Sequence, residues 1–195
     1  MGITKANQPH SNEQWPNGWW VTRVAETGST NTDLVKLGAE GAKHHSVLMA
    51  DFQSAGKGRL DRTWVAEPGA NLLVSLLFRI TETLERPLHQ FTQMVGMSAA
   101  RACMQLTGVL PDMKWPNDLL IDNKKVSGIL AQGAPGFVVV GIGVNVNWAP
   151  PDAMSLAKAA PHHATSPVQL LRNMLSVIDE LEALSAEQLH EQYSA

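Results

Sequence analysis

The 195-residue sequence lacks several features that would restrict its surroundings or its partners. It holds one cysteine, Cys103, so no disulfide can form within the chain. It has no run of the roughly 18 consecutive apolar residues that a membrane-spanning helix needs. Its formal net charge is −3, so no general basic field attracts nucleic acid. These absences predict a cytoplasmic protein that binds neither membranes nor nucleic acids, and in which any cationic site is local.

Composition and element order predict one folded domain. The chain is 44% hydrophobic and 17% charged, as is usual for a globular protein. Residues 1–18 lack the apolar core of a signal peptide and are expected to form a polar arm before a domain over 19–195. Predicted strands cover 19–25, 46–52, 72–80, 113–115, 119–121, 125–132 and 137–146, and predicted helices cover 30–37, 87–106 and a last stretch from 167. This order, without regular βαβ alternation, predicts an α+β fold with a mixed sheet and packed helices.

Local signals mark the ends of several elements. Thr30 and Asp33 match a capping box at the start of the first helix, and a turn is expected over 26–28 before it. Gly108 is expected to end the second helix. Residues 148–166 are rich in proline, histidine and serine and predict an irregular connection. The final helix carries its apolar face on Leu170, Met174, Ile178 and Leu181.

A glycine-rich loop over 53–69 is the first candidate for chemistry. Gly56 and Gly58 permit close backbone approach, while Lys57, Arg59 and Arg62 can gather around phosphate groups. The loop is not a Walker motif, because no Gly-Lys-Ser/Thr follows four residues after a glycine. The alternative interpretation is a solvated basic loop without a ligand.

Two further stretches place polar and cationic groups at turns. Asn117 and Asp118 follow Lys114 and could bind a ribose, a metal ion or a magnesium-bound phosphate, or could form an ordinary turn. Lys125 lies at the mouth of the next strand, where Gly128 indicates close approach to the backbone. The alternative for Lys125 is a solvated turn lysine.

A third pair of stretches offers a flat surface and a polar cluster. Residues 141–147 hold two glycines but fail the dinucleotide fingerprint, and they predict a strand against which a planar ligand can lie, or a glycine bulge. Ser29, Thr30 and Asn31 cluster at a helix start, which suits a small polar ligand or simple capping.

Other conspicuous residues are expected to have no role in a site. The pairs His44-His45 and His162-His163 lie in polar loops without a second ligand pair at metal-binding spacing. Cys103 falls on the apolar face of a helix and is predicted to be core. Trp15, Trp19 and Trp20 are expected to pack the amino-terminal arm.

Taken together and in order, these stretches resemble the biotin–protein ligase family. The resemblance runs from about residue 21 to 147 and includes Gly-Ser-Thr-Asn, Gln-x-x-Gly-x-Gly-Arg-x-x-Arg-x-Trp, Lys-Trp-Pro-Asn-Asp, Lys-x-x-Gly-Ile-Leu and Gly-x-Gly-x-Asn-x-Asn. It implies the catalytic-domain fold that biotin and lipoate ligases share with class II synthetases. It also implies an ATP-dependent enzyme that makes biotinyl-5'-AMP and transfers biotin to a lysine of the biotin carboxyl carrier domain of acetyl-CoA carboxylase or a related carboxylase.

The resemblance also implies a role for each candidate residue. Lys125 and Arg59 are the expected catalytic residues. The expected biotin contacts are Ser29, Thr30, Asn31, Gln53, Lys57, Gly58, Arg59, Lys125, Gly128 and Leu130. The expected nucleotide contacts are Arg62, Trp64, Lys114, Asn117, Asp118 and Asn145. No resident metal or tightly bound cofactor is expected; ATP brings Mg²⁺, which would lie near Asn117 and Asp118.

The sequence departs from the family pattern in four places. Lys57 stands where the family usually has arginine, and Asp61 where glycine is frequent. A winged-helix extension at the amino terminus and a small β-domain at the carboxyl terminus are missing, which favours a monofunctional member. Two alternatives stay open: a lipoate- or octanoate-transferring enzyme of related fold, and a non-catalytic biotin-binding module.

Overall fold

The computed structural model describes residues 14–60, 62–81 and 86–194. Most of the predicted amino-terminal arm, and Asp61, lie outside these ranges. The strands are β1 (Trp20–Thr27), β2 (Ser46–Gln53), β3 (Leu72–Arg79), β4 (Asp112–Lys114), β5 (Asp118–Ile121), β6 (Lys124–Ala134) and β7 (Phe137–Val144). The helices are α1 (Thr30–Ala39), α2 (Leu88–Thr107), α3 (Leu156–Ala159), α4 (Pro167–Glu182) and α5 (Ala186–Ser194).

All seven described strands form one mixed sheet, with the spatial order β1-β2-β3-β7-β6-β5-β4. β1 and β2 are parallel and are joined by α1, whereas every other neighbouring pair is antiparallel. The predicted α+β fold is therefore confirmed, with a single βαβ unit at its start.

The central strands β3 and β7 are covered differently on their two faces. Successive side chains of a strand point to opposite faces. In β7 the residues Val138, Val140, Ile142 and Val144 join the large core with α2 and α4, while Phe137 and Val139 join a smaller core under α1. Beyond that smaller core, the α1 face of β7 carries only Gly141 and Gly143, which leaves a stretch of bare sheet.

The two long helices pack as their apolar periodicity predicts. Gly108 ends α2 in the left-handed conformation, with a φ of 71°. The four predicted apolar positions of α4 are buried in the large core. Ser166 and Gln169 form a capping box at the start of α4, which explains why the helix begins sharply at Pro167.

Three local predictions were wrong. The capping box at Thr30 does not form: Ser29 is the N-cap, and the Asp33 carboxylate accepts a hydrogen bond from the Thr27 hydroxyl. The turn expected over 26–28 starts later, because Glu26 and Thr27 still pair with Phe52 and Gln53 of β2. The helix from Pro167 is not the last one. A further helix, α5, follows it, and one helical turn, α3, interrupts the expected irregular connection.

A polar cluster joins α4 to the turn between α1 and β2. The sequence predicted no role for the two histidines that form part of it. His45 Nε2 lies 2.7 Å and His44 Nε2 3.5 Å from the Glu182 carboxylate. Trp19 stacks on His45 at a centroid distance of 3.9 Å and donates from its indole nitrogen to Asp179 at 2.9 Å. His44, His45 and Glu182 are close enough together to hold a metal ion. However, His44 Nδ1 accepts a hydrogen bond from the Arg79 amide, so its Nε2 carries the proton and faces Glu182 as a donor.

The packing predicted for the tryptophans was only partly correct, whereas the predicted burial of Cys103 was confirmed. Trp19 is buried as expected, but Trp20 is 56% exposed. Cys103 is fully buried in the large core, and this burial raises the pKa of its thiol to about 12. The thiol is therefore protonated and inert at neutral pH. No helix in the described ranges has both the length and the apolar character needed to cross a membrane.

Candidate active site

A pocket lies on the bare part of the sheet, between the start of α1, the glycine loop and strands β3, β7 and β6. Strand register builds its floor: Gly141 pairs with Ser75 on one side and Leu130 on the other, and Gly143 pairs with Gly128. The cavity is narrow, with a volume of about 50 Å³. Because glycines form much of this floor, side chains approach the backbone of the sheet closely: Asn31 lies over Gly141, and Trp64 lies over Gly143 and Gly128.

The end of the pocket at α1 is a network of hydroxyl and amide groups. Gln53 Oε1 accepts from the Thr30 backbone amide at 2.8 Å and from the Thr30 hydroxyl at 3.0 Å. The Ser75 hydroxyl lies 2.9 Å from the Thr30 hydroxyl and is fully buried. The Thr30 hydroxyl is thus held between two partners, and its orientation is fixed before any ligand enters.

Two buried polar atoms in this network have no hydrogen-bond partner among the described residues. They are the hydroxyl oxygen of Ser29 and the side-chain oxygen Oδ1 of Asn31. Both residues are 4% exposed and line the pocket. Since an unsatisfied buried polar group costs about 1–3 kcal/mol, such atoms are usually partnered. A ligand that offers both hydrogen-bond donors and acceptors would satisfy them.

The Trp64 indole covers the middle of the floor. A Cβ atom on Gly143 would lie 2.6 Å from Trp64 Nε1, and one on Gly128 would lie 3.0 Å from Cζ3. The indole therefore rests directly on the two glycines. Its Nε1 is buried and has no partner within the described part of the chain.

The opposite end of the pocket is cationic. Lys125 Nζ lies 2.8 Å from Asp118 Oδ1 and 5.6 Å from the centroid of the Trp64 ring. Arg59 Nη1 donates to Asn117 Oδ1 at 2.8 Å, and Asn117 Nδ2 donates to Asp118 Oδ1 at 3.3 Å. These contacts join the glycine loop to the turn between β4 and β5, and they set a lysine and an arginine where anionic groups of a ligand could replace Asn117 and Asp118 as partners.

The glycine loop is more ordered than an irregular loop. The Trp64 amide donates to Gly56 O at 2.9 Å, the Gly58 amide donates to Arg62 O at 2.7 Å, and Lys57 pairs with Thr63 across the same narrow ladder. A Cβ atom on Gly56 would come within 2.7 Å of Trp64 O. Glycine at 56 is therefore required by the close approach of the two arms of the loop.

The structure brings most of the predicted site residues together. All ten expected biotin contacts line the pocket, as do Trp64 and Asn117. Arg62 lies in a groove on the outer side of the loop, and Lys114 and Asp118 border a small cleft behind Asn117. Asn145 is not among the lining residues. It is buried, and its Nδ2 donates to Met154 O at 3.1 Å and to Lys125 O at 3.5 Å.

One polar lining residue was missed, together with the apolar residues Val74, Ile129 and Ile142. Ser75 is the only polar side chain in β3 apart from the terminal Arg79, and this interruption of an apolar strand is the signal that could have identified it. Gly141 and Gly143, noted in the sequence as a surface for a planar ligand, also line the pocket.

Comparisons with known proteins agree with this geometry. Residues 23–147 match the model of the biotin/lipoate A/B protein ligase family. A biotin–[acetyl-CoA-carboxylase] ligase from Mycobacterium tuberculosis is 38% identical over 170 aligned positions, which cover 81% of this chain and 64% of that protein. A bifunctional ligase/repressor, BirA, from Bacillus subtilis is 33% identical over 145 positions, covering 68% of this chain and 44% of that protein. The chain thus spans less than two thirds of either relative.

A solved structure shows the same fold with ligands bound. The biotin protein ligase from Aquifex aeolicus in complex with biotin and ATP superposes with a TM-score of 0.74 at 26% identity. The match covers 89% of this chain and 76% of that protein. Most of this chain therefore shares its fold with a protein that holds biotin and ATP.

Proposed function

Since the chain belongs to the biotin/lipoate A/B protein ligase family, we propose that it is an ATP-dependent biotin–protein ligase. In the first step, a carboxylate oxygen of biotin attacks the α-phosphorus of ATP; pyrophosphate leaves and biotinyl-5'-AMP forms. In the second step, a lysine amine of a biotin carboxyl carrier domain attacks the acyl carbon. AMP leaves, the amine loses a proton and an amide bond remains.

The observation that carries this proposal is the polarity of the pocket. At one end, Ser29 and Asn31 present buried oxygen atoms without partners, beside the fixed hydroxyl of Thr30. At the other end, Lys125 and Arg59 present cations. Between the two ends, the Trp64 indole lies on the glycines of the floor. Biotin has a matching order of groups, with a cyclic urea at one end, a fused ring in the middle and a carboxylate at the far end.

The urea is assigned to Ser29, Thr30, Asn31 and Gln53, whose hydroxyl and amide groups include both donors and acceptors. Lys57, Gly58 and Arg59 would close the loop over the ligand, and Gly128 and Leu130 would border it from β6. Such a fixed polar end positions the carboxylate for attack, and positioning is a large part of catalysis in a reaction of two substrates.

Lys125 and Arg59 are assigned as the catalytic residues because two anions must meet between them. The carboxylate of biotin and the triphosphate of ATP repel each other, and cations held in place offset this repulsion. Lys125 extends from β6, and Arg59 from the glycine loop. Lys125 would stabilise charge that builds between carboxylate and α-phosphate, whereas Arg59 would hold the finished adenylate under the loop.

The nucleotide is assigned to the loop and the β4–β5 turn, through Arg62, Trp64, Lys114, Asn117 and Asp118. Asn145 would contribute through its place behind Lys125. The side-chain oxygens of Asn117 and Asp118 are the hard donors that Mg²⁺ prefers, and Mg²⁺ commonly takes one or two protein oxygens together with substrate phosphates. These residues therefore fit Mg²⁺ delivered with ATP, where the ion would reduce the negative charge of the triphosphate.

Biotin-dependent exchange of radiolabelled pyrophosphate into ATP tests the proposal, since it requires reversible formation of the adenylate. We expect exchange with biotin and far weaker exchange with lipoate or octanoate. Stronger exchange with either acid would favour the related acyl-transferring enzymes, and biotin binding without exchange would favour a binding module. Cys103 is buried and protonated, so it cannot serve as the nucleophile of a cysteine-dependent transferase. Transfer to a purified carrier domain then tests the second step, which we expect to occur in the cytoplasm.

A further inference from the structure

The Asn31 side chain is held in one orientation by groups from β6. Its Nδ2 donates to Gln132 Oε1 at 2.5 Å and makes a longer contact of 3.5 Å to Leu130 O. The Leu130 carbonyl can only accept, and Gln132 presents its Oε1, so the NH₂ group of the Asn31 amide faces both of them. The Oδ1 atom consequently faces the floor, where a Cβ atom on Gly141 would lie 2.8 Å from it.

This orientation makes the buried end of the pocket selective. Oδ1 of Asn31 is an acceptor only, it is inaccessible to water, and it has no partner in the described residues. A ligand that brings an N–H to this point gains a hydrogen bond. A ligand that fills the same space with carbon or sulfur leaves the oxygen unsatisfied, and sites built to bond a polar group reject analogues lacking that group strongly.

We propose that Gln132 is a positioning residue that selects biotin by keeping the Asn31 oxygen turned toward the ligand. The inference rests on the proposed function, because it assigns a ureido N–H as the partner of that oxygen. Of the two bonds that orient the amide, the one to Gln132 is short, whereas the one to Leu130 O is at the limit of hydrogen-bond distance. Without the Gln132 oxygen, the amide can rotate and present its NH₂ group to the pocket instead.

Two substitutions separate the acceptor at position 132 from its bulk. Gln132→Met keeps the length of the side chain and removes the acceptor oxygen. Gln132→Glu keeps an oxygen that accepts from Asn31 Nδ2. We expect Gln132→Met to weaken biotin binding by about 10-fold or more, the effect of one buried oxygen losing its oriented partner. We expect Gln132→Glu to stay within about 3-fold of the wild type, because a carboxylate accepts from an amide at least as well.

The chain offers a matched control in a second asparagine–glutamine pair. Asn173 Nδ2 donates to Gln105 Oε1 at 3.1 Å on the exposed surface between α2 and α4. Gln105→Met removes the same kind of bond away from the pocket and should leave biotin binding unchanged. The measurements are the dissociation constant of biotin by isothermal titration calorimetry and the KM values for biotin and ATP in pyrophosphate exchange, where only the value for biotin should rise.

The outcomes distinguish the inference from the proposed function. If the wild-type chain binds no biotin and shows no exchange, the proposed function fails and this inference fails with it. If the wild type binds biotin and Gln132→Met binds it equally well, the positioning role alone is refuted. Equal losses in Gln132→Met and Gln132→Glu also refute it, because bulk or packing would then explain the effect.

Discussion

A substitution of Glu182 tests how much its contacts with His44 and His45 contribute to the stability of the fold. Burial alone would raise the pKa of this carboxyl, but hydrogen bonds from His44 and His45, with a further electrostatic attraction to the two rings, outweigh it and lower the pKa from 4.5 to about 2. The substitution Glu182→Gln removes the charge and turns an NH₂ group toward imidazole nitrogens that are themselves donors. We therefore expect it to destabilise the fold.

The size of the effect follows from the pKa. A change from 4.5 to about 2 corresponds to an upper bound of about 3 kcal/mol at neutral pH. The side chain of His44 is 37% exposed, so solvent weakens its share of the interaction. We expect Glu182→Gln to lower the free energy of unfolding by about 2 kcal/mol at pH 7, near the value for a hydrogen bond to a charged group.

The direction of the pKa shift determines how the stability difference between the wild type and Glu182→Gln changes with pH. A carboxyl whose pKa is lowered by folding stabilises the protein above its unfolded pKa, and this stabilisation disappears as the pH falls through the folded value. The difference between wild type and Glu182→Gln should thus be complete at pH 7, shrink below about pH 4.5 and vanish toward pH 2. Urea unfolding followed by circular dichroism measures it, with Glu180→Gln, an exposed position on the same helix, as the control. A difference that stays constant from pH 7 to pH 3, or an equal loss in the control, would refute the reasoning.

Three further predictions concern the catalytic step. Lys125→Ala should lower the single-turnover rate of adenylation by about 100-fold or more, as for one lost preorganised charge contact. Lys124→Ala, at the exposed first residue of β6, should not. Arg59→Gly should still form the adenylate but release it early, so that biotin appears on lysines of an unrelated bystander protein. Loss of adenylation in Arg59→Gly, with adenylation intact in Lys125→Ala, would reverse the two roles. Amide hydrogen exchange over residues 54–66 should slow when biotin and ATP are added, and equal exchange in both states would contradict closure of the loop.

The sequence predicted best those elements whose burial repeats along the chain. β3 is a continuous buried run, α2 and α4 bury residues at helical spacing, and all three lie close to their predicted bounds. By contrast, α5 was missed because Leu189 is the only buried core residue among those of the helix whose burial is described, which leaves little periodicity to detect. The capping box at Thr30 failed for a different reason, since the hydroxyl of Thr27 reaches Asp33 across the strand–helix turn.

The same distinction applies to the site. Motif order was sufficient to gather the residues of the pocket, because most of them lie in short stretches with recognisable chemistry. The local sign of Ser75 is weaker, a single polar residue within an apolar strand, and its importance depends on Thr30, a residue 45 positions away in the chain. Likewise, neither His45 nor Glu182 stands out alone, and 137 positions separate them. Contacts of this range arise only from the packing of elements.

Successive residues near the end of β7 alternate between the large core and the pocket. The strand's even-numbered positions, such as Val140 and Ile142, belong to the large core, while Gly141 and Gly143 line the pocket. A side chain added at either glycine would therefore press on Asn31 or Trp64 in the pocket and leave the packing of the large core unchanged. A one-residue deletion before Gly141 would exchange the two sets, placing valine and isoleucine in the pocket and glycine in the core. Substitutions in this strand can thus separate ligand choice from stability, whereas changes in its length cannot.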